Sequence, residues 1–144
     1  MSQFARFLGV LALVLIVPAA QAQNKVPSER MLEALVKSSL LSLNDANVTG
    51  NYSVLHAKLS KPFRDQFSAD RLKETFREFA KKHVDYDIIA AYQPTYSTPP
   101  VVDDDGKLLV EGYFPTEPKR VNFKLAFIPS DGEWKLIRLK VDID

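Results

Sequence analysis

The apolar residues of this chain change their period once, at His83, and that change fixes the class of fold it can adopt. Before it, Leu32, Leu35, Val36, Leu40 and Leu43 recur at helical spacing, with Met31 widening the face. Leu72, Phe76 and Phe79 repeat the pattern at i, i+4 and i+7. After it, Val121, Phe123, Leu125 and Phe127 alternate with polar Asn122 and Lys124, the period of a half-buried strand. A helical half followed by a strand half can bury both apolar faces only by packing one layer on the other, which is an α+β fold.

Capping and breaking residues divide the two halves further. Ser28 is placed to cap a first helix, with Glu29 in its first turn, and "NDANVTGN" supplies the turn formers that should end it. The triplets "NVT" and "NYS" fit a glycosylation acceptor but read as turn residues around Gly50. A second helix over about residues 51–60 aligns Tyr52, Leu55 and Leu59, and Pro62 interrupts it. Ser68 caps a third, which Lys81, Lys82 and His83 close with basic groups. Four strands are then expected: one carrying Val84, Tyr86 and Ile88 inward, then "KLLVEGYF", "RVNFKLAFI" and "EWKLIRLKVDI". The phase of the last slips at Leu136-Ile137, which predicts a bulge. The expected architecture is three helices packed on a curved four-stranded antiparallel sheet.

The N-terminus bears on location. Arg6 precedes an apolar run from Phe7 to Ala20, shorter than the roughly 20 residues a membrane span needs. It ends in Ala20-Gln21-Ala22, a small-x-small cleavage pattern. Residues 1–22 are therefore expected to be a signal peptide cleaved after Ala22, and residues 23–144 a single domain in the periplasm or secreted. Without Arg6, 18 basic residues balance 18 acidic ones, so no global field recruits nucleic acid or an anionic membrane. With no cysteine, thiol nucleophiles, cysteine-based metal sites and a lipid-anchored export signal are all excluded.

Residues 81–94, "KKHVDYDIIAAYQP", look most like acid–base chemistry. On a strand, however, Asp85 and Asp87 would share one face and the apolar residues the other. An unpaired carboxylate costs several kcal/mol to bury, so the acids are expected in water, with His83 capping the helix end and His56 at the surface. "VVDDDGK" lacks the calcium-loop glutamate six places past its glycine, where Gly112 stands, and reads as a hairpin turn. No metal site, cofactor or catalytic set is expected.

Two stretches carry a family resemblance. "SLNDANVTGNYSVLHAKLSKPFRDQFSADRLKETF" resembles the helix, turn, short aromatic-led helix and serine-capped helix of the nuclear-transport-factor-2-like superfamily, which includes ketosteroid isomerase. "VNFKLAFIPSDGEWKLIRLKVDI" resembles its closing hairpin. The resemblance implies a cone-like, cystatin-like fold with a pocket at its open end, lined by Tyr86, Glu111, Tyr113, Phe123, Leu125, Trp134 and Arg138. No position matches the family's catalytic carboxylate. Glu111 and Arg138 could instead pair across the sheet. Beyond the slip, Ile137, Leu139, Val141 and Ile143 either face outward, where the resemblance implies a homodimer through the sheet, or return to the core. Three functions follow: a non-catalytic exported binding or accessory domain taking a small apolar or amphipathic ligand, which is preferred; an isomerase- or cyclase-like enzyme; or a protein–protein module using the outer sheet face.

Overall fold

The computed structural model describes residues 25–144, so the export signal expected at residues 1–22 lies outside them. The chain is α+β: helices come first and an open antiparallel sheet of five strands follows. Helix α1 spans Glu29–Thr49, and Ser28 caps it as expected, its Oγ accepting from the Met31 N–H at 3.3 Å. The turn formers at 44–47 do not stop it. Asn44, Asp45 and Asn47 are helical, and the helix ends only at Gly50, whose φ of 75° lets its N–H reach the Ala46 carbonyl. Packing overrides local preference there, because Leu43 and Ala46 are buried against the core and the helix gains by continuing through them.

Four short helices follow: α2 (Ser53–Lys58), α3 (Lys61–Gln66), α4 (Ala69–Thr75) and α5 (Arg77–Lys81). Pro62 does not merely interrupt. It sits in the first turn of α3, where a missing N–H costs nothing. Ser68 caps α4, accepting from the Arg71 N–H, and the expected third helix breaks at Phe76 into α4 and α5.

The strand expected at 84–88 does not form. His83 adopts a left-handed φ of 51°, and residues Asp87–Ala91 make a 3-10 turn, so the inward residues are Tyr86 and Ile89 while Ile88 is 52% exposed. Asn44 explains the change: from α1 it donates to Asp85 Oδ1 at 2.8 Å and accepts from the Tyr86 N–H at 3.0 Å. These bonds satisfy backbone and side chain that a sheet would otherwise have to pair.

Strands β1 (Thr95–Tyr96) and β2 (Val101–Val102) both pair with β3 (Leu108–Phe114), one edge strand broken by Pro99 and Pro100. Gly112 permits the first pairing, since a Cβ there would stand 2.0 Å from the Thr95 carbonyl oxygen. β3 pairs with β4 (Val121–Ser130), and β4 with β5 (Glu133–Ile143). Asp131 and Gly132, at φ 56° and 80°, form the two-residue turn that fixes the β4–β5 register. The bulge lies where the phase slip predicts: Phe127 opposes Leu136, Ala126 opposes Arg138, and Ile137 is the extra residue. Leu139, Val141 and Ile143 consequently return to the helix side, opposite Leu125, Phe123 and Val121, and pack against the core. No helix among the described residues is long and apolar enough to cross a membrane.

Candidate functional site

Helix α1 has three flanks, set by its 3.6-residue turn. Leu32, Val36, Leu40 and Leu43 form the buried stripe. Glu29, Glu33 and Lys37 lie to one side of it, where Lys37 holds Glu33 at 2.8 Å and donates to the Ala90 carbonyl at 3.2 Å. Burial, and secondarily the carboxylates of Glu33 and Glu29, raises the proton affinity of Tyr96. On the other side, Met31, Ala34, Leu35 and Ser38 make a second stripe at i, i+3, i+4 and i+7, in which Met31 and Ala34 stay exposed among the described residues.

That stripe is one wall of a groove of about 810 Å³, within the range of roughly 300–1,000 Å³ typical of small-molecule sites. The opposite wall is the tip of the β4–β5 hairpin, with Phe127, Pro129, Trp134 and Leu136. Ala57 and Lys58 at the end of α2 close one side, and Lys25 to Ser28 the approach to α1. The hairpin tip is held in place at the sheet edge. Ser60 donates its N–H to the Leu136 carbonyl at 2.8 Å, and Lys61 donates its N–H to Ser130 Oγ at 3.0 Å. Arg64 reaches Asp131 at 3.1 Å and Lys135 reaches the same carboxylate at 3.2 Å, so these two cations hold Asp131 below the usual carboxylate range.

The groove floor is apolar. Phe127 and Leu136 are almost fully buried at its base, and Ser38 and Ser39 turn their hydroxyls back onto the Leu35 carbonyl at 3.3 and 2.7 Å. These two serines thus present little unpaired polarity to the space. At the rim, Val26 and Met31 remain 41% and 52% exposed, unusual for large apolar side chains standing together. The ionisable groups that line the groove are Lys25, Lys58, Lys135 and Glu133.

Of the seven residues expected to line a pocket, only Trp134 borders this groove, while Glu111 and Phe123 border a smaller depression of about 270 Å³ on the sheet. Glu111 and Tyr113 belong to the outer phase of β3, because Leu108, Val110, Gly112 and Phe114 take the inner one. Arg138 is outward and exposed, opposite Ala126, while Glu111 opposes Lys124, so the expected Glu111–Arg138 pair is two rows out of register and does not form. Tyr113 instead carries the Arg120 guanidinium 4.2 Å from its ring centre. Phe123 and Leu125 are inward, but inside the packed core.

Tyr86 is also core. It is 2% exposed, lies edge-on to Phe79 at 6.3 Å, and has no hydrogen-bond partner for its hydroxyl. Burial, and secondarily the charge of Asp45, pushes its phenol far above the ordinary value, so the hydroxyl stays neutral. Asp85 and Asp87 meet water, and the Asn44 and Asp87 N–H bonds hold Asp85 below its ordinary range. His56, expected at the surface, is half-buried with its Nε2 enclosed and unpartnered. In the "VVDDDGK" turn, Asp103 Oδ1 is consumed by the N–H groups of Asp105 and Lys107 at 3.0 and 2.8 Å. No group of three or more metal-ligating side chains occurs among the described residues.

Sequence reasoning missed the second stripe of α1 and the three lysines. The stripe left a signal, since Met31 widens the apolar face beyond what one packing layer needs. The lysines left none. Compared with protein-family models, with curated proteins and with solved structures, the chain has no match in any of the three.

Proposed function

We propose that this chain is an exported, non-catalytic binding or accessory domain of the nuclear-transport-factor-2-like type, which holds a small apolar or amphipathic ligand between α1 and the β4–β5 hairpin. The observation that carries the reading is the groove itself: an apolar floor in which the serines are internally satisfied, bordered by exposed Val26 and Met31. An isomerase would need a base and a proton donor converging on one oxygen. Here Glu133 is the single carboxylate in the lining, and it is exposed at the hairpin turn.

The test is native mass spectrometry of protein purified from its own compartment. A small-molecule adduct is expected on the wild type and not on Ala34→Phe, which fills the groove from an exposed helix position. Trp134, the sole tryptophan, gives an independent reading through its emission. An adduct that persists in the filled variant, or emission indifferent to every apolar probe, would reject the groove as the binding site.

A further inference from the structure

The groove carries an excess of positive charge. Lys25, Lys58 and Lys135 line it against a single carboxylate, Glu133. Lys135 is already engaged with Asp131 at 3.2 Å. Lys25 and Lys58 make no ion pair or side-chain hydrogen bond with any described residue, and residues 1–24 contain no acid that could answer them. The acids of α1 are no counterweight, because Glu29 and Glu33 sit on the flank facing Tyr96. Two unpaired ammoniums beside an apolar floor therefore stand out in a domain whose overall charge is near zero, where no global field would account for selection.

Resting on the binding reading above, we propose that the ligand is a single-chain anionic amphiphile, an alkyl tail with a carboxylate or phosphate head. The tail lies along Met31, Leu35, Phe127, Trp134 and Leu136, and the head meets Lys25 and Lys58 at the rim. Flexible Met31 adapts to tails of different shape. The lysines hold the head as point charges without the planar fork that would demand one head geometry. Half-buried Lys58 supplies the less screened of the two charges.

The test titrates the purified protein with four probes of equal chain length, following Trp134 emission: dodecanoate, dodecyl phosphate, dodecanol and dodecyltrimethylammonium. At least one anion is expected to bind about tenfold tighter than the alcohol at low salt, with the advantage shrinking as salt rises; the tighter anion names the head group. In a Lys25→Gln, Lys58→Gln double variant the advantage should fall to threefold or less while dodecanol affinity stays unchanged. If dodecanol binds as tightly as both anions, or the cationic probe binds tightest, the anionic head is refuted and the groove reading survives. If none of the four binds, both fall. Emission that is already blue-shifted and moved by no probe would mean that this chain's own apolar segment or a second copy covers the groove, and would overturn the proposal.

Discussion

Replacing Tyr86 with phenylalanine separates a structural tyrosine from a working one. The ring is locked in the core against Phe79, and the hydroxyl is enclosed without a partner. An unpaired buried hydroxyl costs about 1–3 kcal/mol, whereas the gap left by one oxygen is smaller than a methyl group and costs less than about 1 kcal/mol. Tyr86→Phe should therefore be neutral or stabilising by about 1–2 kcal/mol at pH 7, a rise in Tm of roughly 3–6 °C for a domain of this size. The effect grows in alkali. Burial favours the neutral phenol, so the folded-state pKa lies above the unfolded value of about 10. Stability is then intact below about pH 10 and falls by about 1.4 kcal/mol per pH unit above it, or about 2 kcal/mol at pH 11.5 from this residue. Tyr52 and Tyr96, also raised, keep their share of that decline in the variant. Urea unfolding at pH 7 and pH 11.5, followed by circular dichroism, measures both quantities. Destabilisation above about 1 kcal/mol at pH 7 would refute the reasoning, since it would require a partner for the hydroxyl.

Two further substitutions test what fixes the fold around the groove. Asn44→Ala leaves the buried Tyr86 N–H unpaired and frees Asp85, and should cost about 2–4 kcal/mol in urea unfolding. Asp85 is depressed below its unfolded value, so its contribution is present above about pH 4 and lost as the pH falls through the folded value; in Asn44→Ala that acid-side decline should flatten. Gly112→Ala drives a methyl into the Thr95 backbone and should cost about 2–3 kcal/mol, with hydrogen exchange increasing first at Thr95 and Tyr96. Wild-type exchange there would show that β1 does not depend on the close approach.

What could be read from the sequence is what obeys a period. The buried stripe of α1, the three long strands and the bulge all follow from spacing alone, because a side chain on the wrong face costs more than any local preference gains. Residues 84–88 also alternate, yet the alternation is too short to outweigh a competing partner. Asn44 takes the Tyr86 N–H and the Asp85 carboxylate from forty residues away, and nothing local announces it. The same limit misplaced Glu111 and Tyr113. Their face depends on which of two alternating sets in "KLLVEGYF" turns inward, and Gly112, the least apolar of the inner set, is there for backbone clearance rather than burial. The groove was invisible for a related reason: its walls come from residues 25–39, 57–58 and 127–136, joined only by tertiary packing.

The Ile137 bulge divides the inner face of β5 into two parts with different work. Toward the hairpin tip, Leu136 and Trp134 oppose Phe127 and Pro129 and line the groove. Toward the C-terminus, Leu139, Val141 and Ile143 pack onto the core. A bulge bends and twists its strand, so the tip can diverge from α1 while the root stays against it. Deleting Ile137 keeps every pairing in phase, with Phe127 still opposite Leu136 and Ala126 still opposite Arg138, but removes the bend. The protein should therefore still fold, with unchanged far-ultraviolet circular dichroism and a cooperative melt. Trp134 should become more enclosed as the tip settles toward α1, and dodecanoate affinity should drop at least tenfold. A folded deletion variant that binds as the wild type does would show that the groove is held open by the contacts of Ser60 with Leu136 and of Lys61 with Ser130 instead, and that the bulge serves only to bring the end of β5 back into phase.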